Sequence, residues 1–216
     1  MDRVAQSPSE ILREVRRAAS GDRALWGDLL ERHRARLRKV VALRLDPRLD
    51  GRVEPSDVVQ EAFLDASRRL PEYAGDPAPM PFYLWLRFLV GQRILEQQRR
   101  HLGAQARDVG REISIYRGSM PEATSAAIVA HLLGRQTSPS QAAMRAERKI
   151  RLQSALNQMD PIDREVLVLR HYEQLSNGEV ATVLGLDKSA ASKRYARALV
   201  RLKDILSAMP GGLQET

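Results

Sequence analysis

QLSNGEVATVLGLDKSAASKRYARALVRLK, residues 174–203, carries two helix signals separated by one turn. Ser176 and Glu179 stand in the S-x-x-E spacing of a capping box, which satisfies the free N–H groups at a helix start. Val180, Ala181, Val183 and Leu184 give that short helix an apolar side. Gly185 falls where a helix closes by a left-handed turn, the conformation that costs glycine least. Asp187 then caps a second helix. The pattern predicts a helix-turn-helix.

The second helix has two faces. At about 100° per residue, Ala191, Tyr195, Ala198, Leu199 and Leu202 share one stripe, predicted to be core. Ser189, Ser192, Lys193, Ala196 and Arg197 fall roughly opposite. Residues 188–203 include six basic residues and no acidic one. A basic helix alone is as well explained by solvation at the end of a bundle. The capping box, the glycine turn and the small second face together favour DNA. Small side chains permit close approach in a major groove, and Lys and Arg meet phosphates and base edges.

Composition bounds the rest. The chain has 216 residues, enough for one domain or two small ones; it is 43% hydrophobic, 29% charged and only 5% aromatic. Apolar residues recur at three-to-four spacing and seldom alternate, so the expected class is all-α with almost no strand. The formal net charge of +8 and an isoelectric point near 10.3 favour a polyanionic partner. No segment approaches the roughly 18 apolar residues of a membrane span, which argues against a membrane role. The N-terminal stretch MDRVAQSPSE lacks the apolar centre of a signal peptide. Without cysteine there is neither disulfide nor thiolate metal site. The expected location is cytoplasmic.

Outward from the helix-turn-helix, Asp160 and Pro161 mark another helix start, an N-cap followed by proline at the first helical position. Ile150, Leu152, Ala155, Leu156 and Met159 form a helix before it, so the C-terminal domain is expected over residues 145–216. Residues 103–144, rich in Gly, Ser, Ala, Thr and Pro, read as a long flexible linker, interrupted by the apolar EISIY at residues 112–116. The N-terminal domain is expected over residues 1–102. Ser9 is the expected cap of its first helix, and Asp46-Pro47 ends the second. Residues 55–70 form a helix whose core stripe is Val59, Ala62, Phe63, Ala66 and Leu70. Asp57, Gln60, Glu61 and Leu64 lie on another side. Plain solvation accounts for that second stripe by spacing alone, but an acidic patch in so basic a chain suggests a protein-facing role. Residues 71–81 hold four prolines and a glycine and read as a loop. Five of the ten aromatics fall between Tyr73 and Phe88. Trp85 and Phe88 suit a core, whereas Tyr73, on the loop, suits stacking on an unpaired base.

No catalytic constellation is visible. His33, His101, His131 and His171 are scattered without metal-ligand spacing. Neither a phosphate-binding G-x-x-x-x-G-K-[ST] loop nor a G-x-G-x-x-G fingerprint occurs. Acid pairs such as Asp163 and Glu165 lie at helix starts, where carboxylates favour the dipole. The chain therefore reads as a non-enzyme with no cofactor and no metal.

Two separated pieces resemble one family. DVVQEAFLDA (residues 57–66), followed by FYLWLRFLVGQRILEQQRR (residues 82–100), resembles region 2 of bacterial RNA polymerase sigma factors. The helix at Asp160 and the helix-turn-helix resemble region 4. With no other region recognisable, the chain is similar to the extracytoplasmic-function subgroup of the sigma-70 family.

That resemblance implies a dissociable polymerase subunit that recognises and melts promoters, for a stress- or signal-responsive gene set. It implies core RNA polymerase and promoter DNA as partners, with an anti-sigma protein as a further partner found for many relatives. Asp57, Gln60, Glu61 and Leu64 would bind the clamp helices of the largest polymerase subunit. The loop at residues 71–81 would form the pocket for a flipped −10 base, which exposes edges hidden in a duplex. Tyr73 would stack there, Gln92 stands where relatives often carry asparagine, and Arg93, Arg99 and Arg100 would track phosphates. Ser189, Ser192, Lys193, Ala196 and Arg197 would read the −35 element, with Lys188 and Arg194 on its backbone. The competing reading is an autonomous helix-turn-helix regulator with an N-terminal sensing domain. It explains residues 145–206 equally well but not the acidic stripe and aromatic run together.

Overall fold

A computed structural model describes residues 7–102, 120–133 and 142–209. Among them there are helices and turns and no strand. The chain separates into two compact units, Met1–Pro121 and Glu122–Thr216.

The first unit holds α1 (Pro8–Ala19), α2 (Arg23–Arg44), α3 (Pro55–Gly75) and α4 (Phe82–Leu102). Helix α1 starts at Ser7 rather than at the expected Ser9. Ser7 Oγ accepts from the Glu10 N–H at 3.3 Å, the Glu10 carboxylate accepts from the Ser7 N–H at 2.7 Å, and Pro8 fills the first helical position. Both halves of a capping box and a proline at N1 outweigh a lone serine two residues on. Asp22 caps α2 by accepting from the Leu25 N–H at 3.1 Å.

The core of this unit lies where α2, α3 and α4 meet. Leu29, Leu37 and Val41 from α2, Val59 and Ala66 from α3, and Leu86, Leu89 and Ile94 from α4 are essentially fully buried. Burying such a Leu or Ile side chain is worth roughly 1.5–3 kcal/mol each, so these residues anchor all three helices. The whole expected stripe of α3 is buried, and Val58 and Asp65 are buried with it.

Helix α3 runs four residues past Pro71, through part of the stretch that the prolines marked as a loop. Proline inside a helix costs about 3 kcal/mol through its missing N–H and its ring. Here Tyr73 offsets that cost. It is buried, its ring stacks on Trp85 with centroids 4.2 Å apart, and its hydroxyl donates to the Met80 carbonyl at 2.6 Å. The irregular connection is therefore only residues 76–81. Phe88, expected to be core beside Trp85, is only half-buried.

The second unit holds α5 (Ser125–Leu133), α6 (Ala142–Asn157), α7 (Pro161–Leu167), α8 (Asn177–Leu184) and α9 (Lys188–Ala208). Helix α7 widens into a π-helical segment, Val168–Tyr172, before the turn to α8. The expected caps are all present. Asp160 accepts from the Ile162 N–H at 2.9 Å, Ser176 and Glu179 close their capping box, and Asp187 accepts from the Ala190 N–H at 2.7 Å. Gly185 is left-handed, with φ of 64°.

Helix α5 falls inside the stretch expected to be a linker, and α6 begins three residues before the boundary placed at 145. Thr124 caps α5 by accepting from the Ala127 N–H at 3.1 Å. The Ile128 carbonyl accepts from the Tyr172 hydroxyl at 2.6 Å, and Arg164 pairs with Glu122 at 3.5 Å. The run SAAIVAHLL is short and apolar. It was hidden by the glycine- and serine-rich sequence on both sides. EISIY and the Pro210-Gly211-Gly212 terminus lie outside the described residues.

Candidate functional site

Helix α9 is fixed from behind and open in front. Ala191 and Ala198 are fully buried, and Tyr195 is half-buried. The Tyr195 hydroxyl lies 3.0 Å from His171 Nε2, and the Arg170 guanidinium lies 5.4 Å from the Tyr195 ring centroid. Lys188, Ser189, Ser192, Lys193, Ala196 and Arg197 are all exposed. The structure thus brings six of the seven expected −35 residues to one surface. Leu199, expected in the core stripe, is 40% exposed.

Arg194 is the exception. It is half-buried, and its Nη1 lies 2.9 Å from Asp163 Oδ1 and 3.9 Å from Asp160 Oδ1. It sits on the helix flank facing α7 and joins α9 to the start of α7. The turn between α8 and α9 is also tied. Asn177 Nδ2 donates to the Lys188 carbonyl at 2.7 Å, and a Cβ on Gly178 would come within 3.3 Å of Lys188 Cε.

The expected −10 residues are spread over two environments. Tyr73 is core, and burial raises its phenol above the ordinary range. With one ring face on Trp85 and its hydroxyl committed, it is not the exposed loop aromatic that the sequence suggested. Arg93 is bound by Asp65, with Nε to Oδ2 at 2.6 Å, and by Glu96. The Asp65 hydrogen bond raises the Arg93 pKa further. Its guanidinium fastens α4 to α3. Gln92 is half-buried and accepts from Arg69 Nη1 at 3.4 Å. Arg99 and Arg100 are exposed on the last turns of α4, where Arg100 pairs with Glu96 at 3.0 Å.

The acidic side of α3 stands clear of the core. Asp57 and Gln60 are exposed, Glu61 is half-buried, and Leu64 is 52% exposed. Gln60 Oε1 accepts from Arg34 Nη1 at 3.2 Å, and the Glu61 oxygens lie 3.3 and 3.4 Å from Gln97 Nε2. The sequence reading missed both donors. They lie 26 and 36 residues away from their acceptors, and no local spacing reveals such pairs.

Among the described residues no group of three or more His, Cys, Asp or Glu is placed to hold a metal ion, and no helix is long and apolar enough to cross a membrane.

Comparison with known proteins agrees with this geometry. Residues 149–202 match the family model of sigma-70, region 4. The chain is 30% identical to the RNA polymerase sigma-H factor of Pseudomonas aeruginosa over 151 residues, 67% of this chain and 69% of that protein. It is 26% identical to the RNA polymerase sigma factor NccH of Alcaligenes xylosoxydans xylosoxydans over 192 residues, 89% and 92% of the two chains. The solved structure of CnrH in complex with the cytosolic domain of CnrY covers 92% of this chain and 98% of its own, with 25% identity and a TM-score of 0.51. The chain is also 28% identical over 190 residues to the ECF RNA polymerase sigma factor SigD of Mycobacterium bovis, 88% and 81% of the two chains. It belongs to the sigma-70 family of RNA polymerase sigma factors, in its extracytoplasmic-function group. It is a transcription initiation factor that directs promoter recognition. An autonomous regulator would share the helix-turn-helix alone, whereas these relatives match across both units.

Proposed function

We propose a division of labour between the two units. The α3 face formed by Asp57, Gln60, Glu61 and Leu64 binds core RNA polymerase, within a functional domain spanning residues 1–102. The observation that carries this is Leu64, the one large hydrophobic side chain of the first unit exposed among the described residues. Leu64 stands among exposed Asp57 and Gln60 and half-buried Glu61, so a partner covering it would meet an apolar side chain ringed by hydrogen-bonding groups. The exposed face of α9, in a domain spanning residues 145–216, reads the −35 element. Lys193 and Arg197 supply charge, and Ser189, Ser192 and Ala196 allow close approach. Arg99 and Arg100, at the end of α4, meet the phosphates near the −10 element, with Gln92 one helical stretch before them. Arg93, Arg194 and Tyr73 act by holding these surfaces in place.

The protein acts without catalytic chemistry of its own, in the cytoplasm. The CnrH structure contains the cytosolic domain of CnrY. By analogy, an anti-sigma protein holds this chain inactive until a signal releases it. Mixing the purified chain with core polymerase and a genomic promoter pool, then sequencing retained open complexes, tests the reading. A shared pair of elements, enriched only when core is present, is expected. Equal binding to duplex DNA without core would overturn it.

A further inference from the structure

We propose that Arg34 of α2 and Gln97 of α4 are positioning residues that hold the α3 face in its polymerase-binding form. The proposal rests on reading Asp57, Gln60, Glu61 and Leu64 as that face. Gln97 is buried, and its Nε2 donates towards both oxygens of the half-buried Glu61. A buried amide is costly unless it is hydrogen-bonded, so its acceptor explains its presence where an apolar residue would pack as well. The donor is also neutral. It aims the carboxylate without cancelling its charge, with the Arg93 guanidinium acting on Glu61 only through space, and Glu61 keeps a place for a donor on the polymerase.

Arg34 acts from the other flank. Glu31 anchors it at 2.6 Å, and its guanidinium lies 5.0 Å from the Phe63 ring centroid. Arginine has donors and no acceptor, so Gln60 must turn its oxygen towards Arg34 and direct its NH₂ elsewhere. The two flanking residues thereby sort the face. Gln60 offers a donor, Glu61 an acceptor, and Leu64 an apolar knob one turn further on. Fixing two long side chains before binding removes part of the ordering cost of association, which is the general effect of preorganisation.

The test is a double-mutant cycle in the full chain, read as affinity for core RNA polymerase by titrating fluorescently labelled protein. Gln97→Leu is expected to weaken binding about threefold to tenfold, the scale of one freed side chain. It is expected to have no further effect in a Glu61→Ala background. Arg34→Met is expected to behave the same way against Gln60→Ala. Melting curves of each variant report its fold separately. If Gln97→Leu weakens binding equally with and without Glu61, it acts through the fold and the proposal is wrong. It is equally wrong if Gln97→Leu and Arg34→Met leave affinity unchanged while Glu61→Ala lowers it. If neither Glu61→Ala nor Gln60→Ala changes affinity, the reading of the α3 face itself fails, and the proposal falls with it.

Discussion

Arg194 Nη1 and Asp163 Oδ1 lie 2.9 Å apart, tying the second turn of α9 to the first turn of α7. Both side chains are part-buried, so the pair is shielded from salt more than a surface pair would be. In the proposed reading Arg194 orients the −35 face without belonging to it. Arg194→Ala is expected to cost about 1 kcal/mol of stability and to weaken promoter binding, with the salt dependence unchanged. Arg197→Ala is expected to leave stability alone and to cost roughly 1–3 kcal/mol of −35 discrimination. Holoenzyme binding to labelled promoter across a potassium chloride series separates the two. A shallower salt slope for Arg194→Ala would return that residue to the DNA.

The stack of Tyr73 on Trp85 makes a second prediction. Tyr73→Phe keeps the ring but loses the hydrogen bond to Met80, and is expected to lower stability by about 1 kcal/mol. Tyr73→Ala removes the ring as well, at about 3–5 kcal/mol. Urea unfolding checks both. At temperatures where Tyr73→Phe stays folded, permanganate reactivity of the promoter bubble should match wild type. Slowed opening in a fully folded Tyr73→Phe variant would put the hydroxyl back into promoter melting.

The helices other than α5, the capping box of Ser176 with Glu179 and the exposed face of α9 are legible because each depends on residues within one or two turns. Ser176 with Glu179 and Asp160 with Pro161 were read correctly on that basis. Beyond the cap placed at Ser9 instead of Ser7, what local spacing leaves out is mostly the distant partner. Tyr73 looked like a loop residue because prolines surround it, and only the distant Trp85 shows why the helix continues. Asp65 and Asp163, which hold Arg93 and Arg194, lie 28 and 31 residues away, beyond any local spacing, whereas Glu96, the second partner of Arg93, stands at i+3. Periodicity gives the face on which a cation lies, but not whether that face already holds an anion. Helix α5 escaped notice because nine residues are too few for their period to stand out from a glycine- and serine-rich background.

Two glycines around the helix-turn-helix should respond oppositely to alanine. Gly185 has φ of 64° with open space around it, so Gly185→Ala meets no clash but pays for a left-handed backbone, about 1–2 kcal/mol. Gly178 is helical, and its new Cβ would press only on the end of the Lys188 side chain at 3.3 Å. That flexible end can move aside. Gly178→Ala is expected to gain up to about 1 kcal/mol from helix propensity. Thermal unfolding should show the first variant below wild type and the second at or above it. A lowered midpoint for Gly178→Ala would mean that Lys188 is fixed where it lies.

The Tyr172 hydroxyl, which donates to the Ile128 carbonyl at 2.6 Å, gives the docking of α5 a pH signature. Burial pushes this phenol up to about 12 from an ordinary 10.0. Only the neutral phenol donates. In the unfolded chain it begins to ionise near pH 10, while the folded chain keeps its proton until about 12. Its contribution is complete below pH 10 and is lost as pH rises towards 12, because the unfolded state releases its proton first. Tyr172→Phe is expected to cost about 1 kcal/mol at neutral pH through the lost hydrogen bond. It should also flatten the alkaline fall in stability relative to wild type, since every other alkaline group is common to both. Urea unfolding at neutral pH and at two points above pH 10 provides the comparison. Hydrogen exchange over residues 125–133 should rise in wild type along the same alkaline limb, and should already be raised at neutral pH in Tyr172→Phe. Equal exchange in both proteins would show that α5 is held without the Tyr172 hydrogen bond.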